Sequence, residues 1–576
     1  MPGILGKIYS SSLPDPTELA TARSLLKYYD WYIDSDIWTD GGFACTHTGT
    51  GILETEKYPV TQEGIFAWID GESYNSNEIA AKLGFKTTSF ADLLCTAWKQ
   101  NRLEKVLSLI DGIFAAVLFD KNKQQSCLIT DRYGSRPFYL WQRGLDIAWS
   151  SEVKGFFALN DFDKKIDAEA VPCLIQFGHL LGQQTWFKEV RLMPSASIIF
   201  VDIAKPSSFS EIRYWKWSNV PMQKASFEEA ISETVNLLHR AVLKRMFTPK
   251  RLGLLLSGGM DSRTILACLP AGSKMPLLTF GAHQSDDVRL SQQVAKRKNM
   301  ENHIFPLSQE NWWAKRPIAT WQTDGMVSSF HLHNTNSHSA MKKYADILFN
   351  GYCGDVNLGG LFIRNYNSRV DGKYAQHYFH EWAGLTDYKD SYFDINHQTP
   401  FYLEAHIRHK SIYGGVNFSK TIEMRRPFID NDLVDFIYGL PDEYRMNYRL
   451  YLHVVMRLSP ELFGEIPWQK TGLPLKYTNL NQWFLKLKIK EIRNRLGIQR
   501  ASFPIADYAN WIRQPDAAKY FTGLLNPATA LYPQFIKEDF IKKYLQPHLD
   551  RKGNFIEKIG RAATMEWWLQ RVFTRS

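Results

Sequence analysis

The sequence predicts an α/β protein built from two unlike halves. An α+β sandwich fills about residues 1–204, and a doubly wound parallel sheet with extra helices fills about 226–576. Three observations predict this. Short apolar runs rich in β-branched and aromatic residues alternate with turn signals in the first half. Strand-like and helix-like stretches alternate in the second half, as βαβ units do. A glycine turn joins the first strand of that alternation to its helix. A chain of 576 residues has room for three or four domains of about 150 residues each, yet the pattern changes only once.

In order along the chain, Phe66–Ile69 reads as a strand ahead of an Asp70-Gly71 turn. Ile113–Phe119 reads as a strand ahead of the polar turn 120–125, and Ile198–Val201 as a strand after Pro194. Helical stretches fall near 76–83 and 91–107. Residues 205–225, with Lys205-Pro-Ser-Ser and Asn219-Val-Pro-Met, read as a linker. An amphipathic helix, Phe227–Phe247, then leads into a strand at Leu252–Leu256. Further strands follow at Leu277–Phe280 and Ile347–Phe349, with a helix near 286–299 between them. From about 375 the reading is helical, closing on Met565-Glu-Trp-Trp-Leu569.

Composition narrows the class. A hydrophobic fraction of 44% with 22% charged residues is that of a globular chain. No apolar run approaches the roughly 18–20 residues of a membrane span, and the start does not read as a secretory signal. Six scattered cysteines without a C-x-x-C pair fit a reducing cytoplasm better than a disulfide framework or a zinc site. A net charge of +10 permits an anionic ligand or nucleic acid, but spread over this length it commits to neither.

The strongest motif is Leu254-Leu255-Leu-Ser257-Gly258-Gly259-Met-Asp261-Ser262. A buried strand runs into glycines, where the backbone can approach a phosphate, and free N–H groups at the helix start supply donors. Ser257 and Ser262 add hydroxyls, and Asp261 is placed to hold a magnesium ion. No lysine follows the glycines, so this is not the common triphosphatase loop. The second strand ends at Phe280-Gly281, where an adenine could lie. The third ends at Gly351-Tyr352-Cys-Gly-Asp355, which would set Asp355 opposite Asp261 as a second metal ligand. The plainer alternative for each turn is a glycine-rich connection with no ligand.

The Ser-Gly-Gly-x-Asp-Ser loop resembles that of the ATP pyrophosphatases. Together with Gly351–Asp355, Arg426-Pro-Phe-Ile-Asp430 and Ile466-Pro-Trp-Gln-Lys470-Thr-Gly, it is similar to the synthetase domain of the asparagine synthetase superfamily. Asp70–Asn75, Leu109–Phe114, Asp131–Tyr139 and Ser150–Lys154 resemble that family's class II glutamine amidotransferase domain. The resemblance implies an Ntn-hydrolase-like sandwich followed by an ATP-pyrophosphatase-type sheet. It also implies an ATP-binding set of Leu255, Ser257, Gly258, Gly259, Asp261, Ser262, Phe280, Gly281 and Gly351, with Mg2+ on Asp261 and Asp355.

Departures carry the finer reading. Pro2 stands where the family's nucleophilic cysteine belongs, Thr46–Thr50 lacks the glutamine-binding arginine, Asp70 replaces an asparagine, and Phe90 stands near the place of an aspartate. These imply an inactive glutaminase domain. Tyr352 replaces the ammonia-handling glutamate of asparagine synthetases and is similar to the tyrosine of β-lactam and carbapenam synthetases. There it pairs with a later glutamate, here Glu404, ahead of Gly414-Gly415. Lys470 matches the family lysine that stabilises charge during acyl transfer.

The expected reaction adenylates a carboxylate, releases pyrophosphate, and transfers the acyl group to an amine with loss of AMP. The substrate is then a small molecule or, as in lasso-peptide macrolactam synthetases, a peptide carrying a carboxylate and an amine. An asparagine synthetase using ammonia or glutamine, a tRNA-adenylating enzyme and a noncatalytic scaffold are the other readings, and a homo-oligomer stays open. His331, His333 and His338 read as polar packing, and the basic run 486–495 as a solvated helix face.

Overall fold

The computed structural model describes residues 3–361 other than 11, 55, 207 and 311, then 363, 403–475, isolated positions between 485 and 493, and 503–574. The first half holds thirteen strands among its described residues. They are β1 (Gly3–Ile8), β2 (Ile33–Asp34), β3 (Trp38–Asp40), β4 (Phe43–Gly49), β5 (Val60–Gln62), β6 (Ile65–Ser73) and β7 (Gly112–Asp120). Then follow β8 (Gln125–Thr130), β9 (Tyr139–Arg143), β10 (Asp146–Ser150), β11 (Val190–Leu192), β12 (Ser197–Asp202) and β13 (Phe209–Arg213). One antiparallel sheet runs β11-β9-β10-β1-β4-β2, with β3 also on β4, and the other runs β13-β12-β8-β7-β6-β5. Alternate side chains of both, among them Ile4, Phe43, Trp68, Phe119, Leu128 and Trp149, fill the space between them.

Helices α1 (Ser76–Leu83), α2 (Phe90–Lys99) and α3 (Leu103–Leu109) cover the outer face of the second sheet through Leu94, Trp98, Val106 and Leu107. The expected helix 91–107 is thus two helices, broken at Asn101, whose φ of 54° leaves the helical region. Asp70-Gly71 is not a turn, because β6 runs through it to Ser73. Gly71, at φ 127°, lies so close to the Ile113 carbonyl of β7 that a Cβ would collide with it. The stretch 205–225 carries β13, which pairs with β12, and buries Trp215 and Trp217. It is therefore sheet and core in part rather than free linker, its polar Lys-Pro-Ser signal marking only the β12–β13 connection.

The second half is organised on β14 (Leu252–Leu255), β15 (Leu277–Ala282), β16 (Asn302–Leu307), β17 (Ile347–Phe349) and β18 (Glu423–Arg425), in the order β16-β15-β14-β17-β18 with every neighbour parallel. The chain winds outward from β14 to β16, then returns to the other side of β14. The reversal of strand order falls between β14 and β17, where doubly wound sheets open a ligand crevice. The long helix α4 (Phe227–Lys244) opens with a Ser226/Glu229 capping box, and α5 (Met260–Ala267) and α6 (Asp286–Lys298) follow β14 and β15. The stretch 331–340 is short 3-10 turns and the start of a helix, His338–Met341, not one helix. The final helix, Ile556–Phe573, buries Trp567 and Trp568. Trp568 shares a core with Leu5, Tyr139 and Trp141 of the first sheet, so the two halves close on one another.

Candidate active site

The crevice at the β14/β17 reversal is a pocket of about 250 Å3. Leu255, Ser257, Gly259, Asp261, Ser262, Phe280 and Gly351 line it, as expected from the sequence. Asp287, Asn350 and Ile505 line it too, and the sequence reading missed them. The loop is locally self-satisfied. Ser257 N–H donates to Ser262 Oγ at 3.0 Å, Gly259 N–H donates to Ser257 Oγ at 3.2 Å, and the two hydroxyls are 3.1 Å apart.

Two expected binding residues do not face the pocket. Gly258 is buried, its N–H donating to Asp287 Oδ1 at 2.9 Å and its carbonyl accepting from Arg263 at 2.7 Å and from Gln469 N at 3.1 Å. It ties the loop to its neighbours rather than offering a donor to a phosphate. Gly281 instead permits a close approach: a Cβ there would lie 2.8 Å from Ser285 Oγ and 3.3 Å from Ile505. Ile505 reaches the pocket because Ala282 N–H donates to its carbonyl at 2.7 Å. That contact is some 220 residues distant in sequence and has no local signal.

The turn after β17 puts the carboxylates together. A Cβ on Gly351 would lie 2.5 Å from Asp261 Cβ, and one on Gly354 equally close to Asp261 Cγ. Only glycines let this turn seat itself on Asp261. Burial and the nearby Asp355 carboxylate push the Asp261 acid up to about 8, and burial raises Asp355 as well. Tyr451 OH donates to Asp261 Oδ1 at 2.8 Å. Two half-buried carboxylates close enough to raise one another fit a divalent cation, whose charge relieves both. Burial lowers Lys470, while Asp355 and Asp261 hold its charge in place. Its Nζ donates to Tyr448 OH at 2.8 Å. Asp261 lines the pocket, and Asp355 and Lys470 lie close enough to it to act on its charge.

Tyr352 and Glu404 line one small cavity beside that pocket. Among the described residues no hydrogen bond joins them, and Glu404 Oε1 instead accepts from Ser195 Oγ at 2.9 Å. The Arg426 guanidinium sits 4.9 Å over the Tyr352 ring. Burial pushes the Tyr352 phenol well above its ordinary value, so it does not offer the ready phenolate that a solvated phenol would.

In the first half, Pro2 lies outside the described residues. Asp70 and Glu72, which the resemblance sets at the glutamine site, are engaged in ion pairs. Arg136 donates to Glu423 Oε2 at 2.8 Å and lies 3.6 Å from Asp70, and Arg425 clamps Glu72 through two bonds of 2.8 and 2.5 Å. Thr46 accepts from Arg23 at 2.9 Å, buried His47 is lowered to about 3, and Phe90 packs edge-on against Phe114. The three histidines of 331–338 act in packing. His331 lies 3.3 Å from Glu557, His333 bonds Tyr508 OH at 2.9 Å, and His338 stacks on Phe418. The basic run 486–495 lies largely outside the described residues, and among those described no helix is long and apolar enough to cross a membrane.

Comparison with known proteins agrees with both halves. The glutamine amidotransferase domain family matches residues 1–215, and the asparagine synthase family matches 233–570. Similar curated proteins include glutamine-hydrolyzing asparagine synthetases of Gallus gallus (23% identical, 68% of this chain and 67% of that one) and Homo sapiens (27%, 68% and 67%). Asparagine synthetase 2 of Bacillus subtilis is 22% identical over 72% of this chain and 62% of its own. The chain thus spans about two-thirds of the length of these relatives.

Proposed function

Since the chain belongs to the asparagine synthase family of ATP-dependent carbon–nitrogen ligases, we propose that it adenylates a substrate carboxylate and passes the acyl group to an amine other than glutamine-derived ammonia, closing a lactam or macrolactam. The observation that carries this is Tyr352 sharing a cavity with Glu404 beside the phosphate loop. In the proposed reaction a carboxylate oxygen attacks the α-phosphorus of ATP and pyrophosphate leaves. The amine then attacks the activated carbonyl, expelling AMP.

Leu255 and Phe280 would take the adenine end, and Ser257, Gly259 and Ser262 the phosphates. Mg2+ bound by Asp261 and Asp355 would offset the charge of the leaving pyrophosphate. Lys470, held by Tyr448, is placed to stabilise negative charge during acyl transfer. With Tyr352 kept protonated by burial, Glu404 Oε2 is the stronger candidate to take the amine's proton, and Tyr352 orients that amine. The first half serves as scaffold, with Asp70, at the place of the family's asparagine, beside the buried Arg136–Glu423 pair.

A second reading is an asparagine synthetase using ammonia or glutamine, favoured by the relatives named above. One experiment separates them. Purified protein receives Mg-ATP, aspartate and either glutamine or ammonium, and AMP, glutamate and asparagine are assayed. Asparagine with glutamate from glutamine would overturn the proposal, and asparagine from ammonium alone would leave an ammonia-dependent synthetase. Intact ATP binding without product supports a dedicated amino-carboxylate substrate.

A further inference from the structure

We propose that the cavity beside Tyr352 is a receptor for a primary ammonium group, walled partly by the first half of the chain. This rests on the acyl-transfer reading above and specifies its amine. The cavity, about 20 Å3, has room for one group the size of water. Four residues lining it carry a buried polar atom with no hydrogen-bond partner among the described residues: Tyr133 OH, Trp217 Nε1, Asn357 Oδ1 and Glu404 Oε2. Buried polar atoms are almost always paired, so four orphans round one space point to a guest.

The orphans also define its chemistry. Asn357 Nδ2 donates to the Phe428 carbonyl at 2.8 Å, which fixes the amide and leaves its oxygen as the free end. Ser195 holds Glu404 by Oε1, leaving Oε2. With the Tyr133 oxygen these make three acceptors, one for each N–H of an R–NH3+ group, and the carboxylate matches its charge. An anion would meet the carboxylate and a carbonyl oxygen instead. Arg408 also lines the cavity, but its Nη2 donates to the Met193 carbonyl at 2.6 Å and its Nε to Gly134 at 3.4 Å, directing those N–H groups into the first half. The rings of Tyr352 and Trp217 complete a wall that suits a cation. Trp217 Nε1, the one obligate donor of the four, gains no partner from an ammonium guest.

Tyr133 and Trp217 belong to the first half and its exit segment, and Ser195 to the loop before β12. The amidotransferase-like half would thus select the amine instead of generating one.

The test is equilibrium dialysis of the full chain with radiolabelled methylammonium. Saturable binding of one equivalent per chain is expected, weakened about tenfold in Asn357→Leu and severalfold in Tyr133→Phe, with melting temperature as the folding check. Tyr133→Phe loses only a hydroxyl and keeps the test valid if Asn357→Leu misfolds. Ammonium displacing the label better than longer amines would identify free ammonia as the guest, and butylammonium doing so would identify the head of an organic amine. No saturable binding, or binding indifferent to both variants, would overturn the proposal and leave a cavity for water. ATP–pyrophosphate exchange, which needs no amine, reports separately on the adenylation reading.

Discussion

Asp261→Asn should make the metal-free protein more stable while abolishing its Mg-ATP chemistry. Asp261 is pushed from the ordinary 3.8 up to about 8 by burial and by Asp355. An acid raised in this way binds its proton more tightly folded than unfolded. Stability is therefore lost as pH climbs from about 4 towards 8, because ionisation is penalised only in the folded state. At pH 7 that penalty has a ceiling of about 4 kcal/mol at ~1.4 kcal/mol per pH unit. Asparagine keeps an oxygen for Tyr451 but still carries an imperfectly satisfied amide, so a net gain of about 1–3 kcal/mol is expected. The assay is thermal denaturation of both proteins with chelator from pH 5 to 8.5. The gap in favour of the variant should widen with pH up to about 8 and close when Mg-ATP is added to the wild type. A gap that is flat with pH, or a variant that melts lower throughout, would refute the claim that the two carboxylates repel one another.

Other substitutions probe the same geometry. Gly351→Ala would drive a Cβ to 2.5 Å from Asp261; a loss of about 1–3 kcal/mol and at least tenfold weaker Mg-ATP binding are expected by calorimetry. Tyr352→Phe should retain ATP–pyrophosphate exchange yet lower amide formation by about 100-fold, the scale on which a misoriented nucleophile slows a reaction; equal loss of both would place the tyrosine in nucleotide binding. Arg245→Met would strip Asp111 and Asp430 of their buried partner, leaving Lys244, 3.1 and 2.9 Å away, to cover both. About 3 kcal/mol of destabilisation is expected in a denaturant titration.

The pocket proposed for the nucleotide is largely legible in the sequence because its parts are local. Ser257–Ser262 and Gly351–Asp355 each follow a strand, and glycine where backbone must meet backbone or carboxylate is a signal one residue wide. What was missed came from distance. Ile505 enters through a backbone bond to Ala282, and Asp287 is needed only because it folds back on Gly258. Sequence alone cannot say which glycine lines a pocket and which, like Gly258 and Gly281, does not. The edge strands β16 and β18 were invisible for another reason. One holds Pro306 and the other is three residues long, so neither shows a period. Asp70-Gly71 reads as a turn until the partner strand that forces its glycine is known.

The scaffold reading makes a last prediction: residues 226–576 alone should not fold. Trp568 and Phe330 share their core with Leu5, Tyr139 and Trp141, so removing the first half uncovers large apolar faces of the second. A buried chain of charge is also cut. Lys154 pairs with Glu152 and with Asp324 at 2.6 Å, and Lys420 pairs with Glu152, all of them nearly inaccessible to water. Truncation would leave Asp324 and Lys420 without Lys154 and Glu152, and each broken buried pair costs about 3–5 kcal/mol where solvent does not reach it. Expression of 226–576 with and without 1–225 supplied as a separate chain tests this. Soluble, ATP-binding protein from the second half alone would show that the interface is dispensable. Recovery only on co-expression would show that the first half is needed to fold the second, whatever its own chemistry.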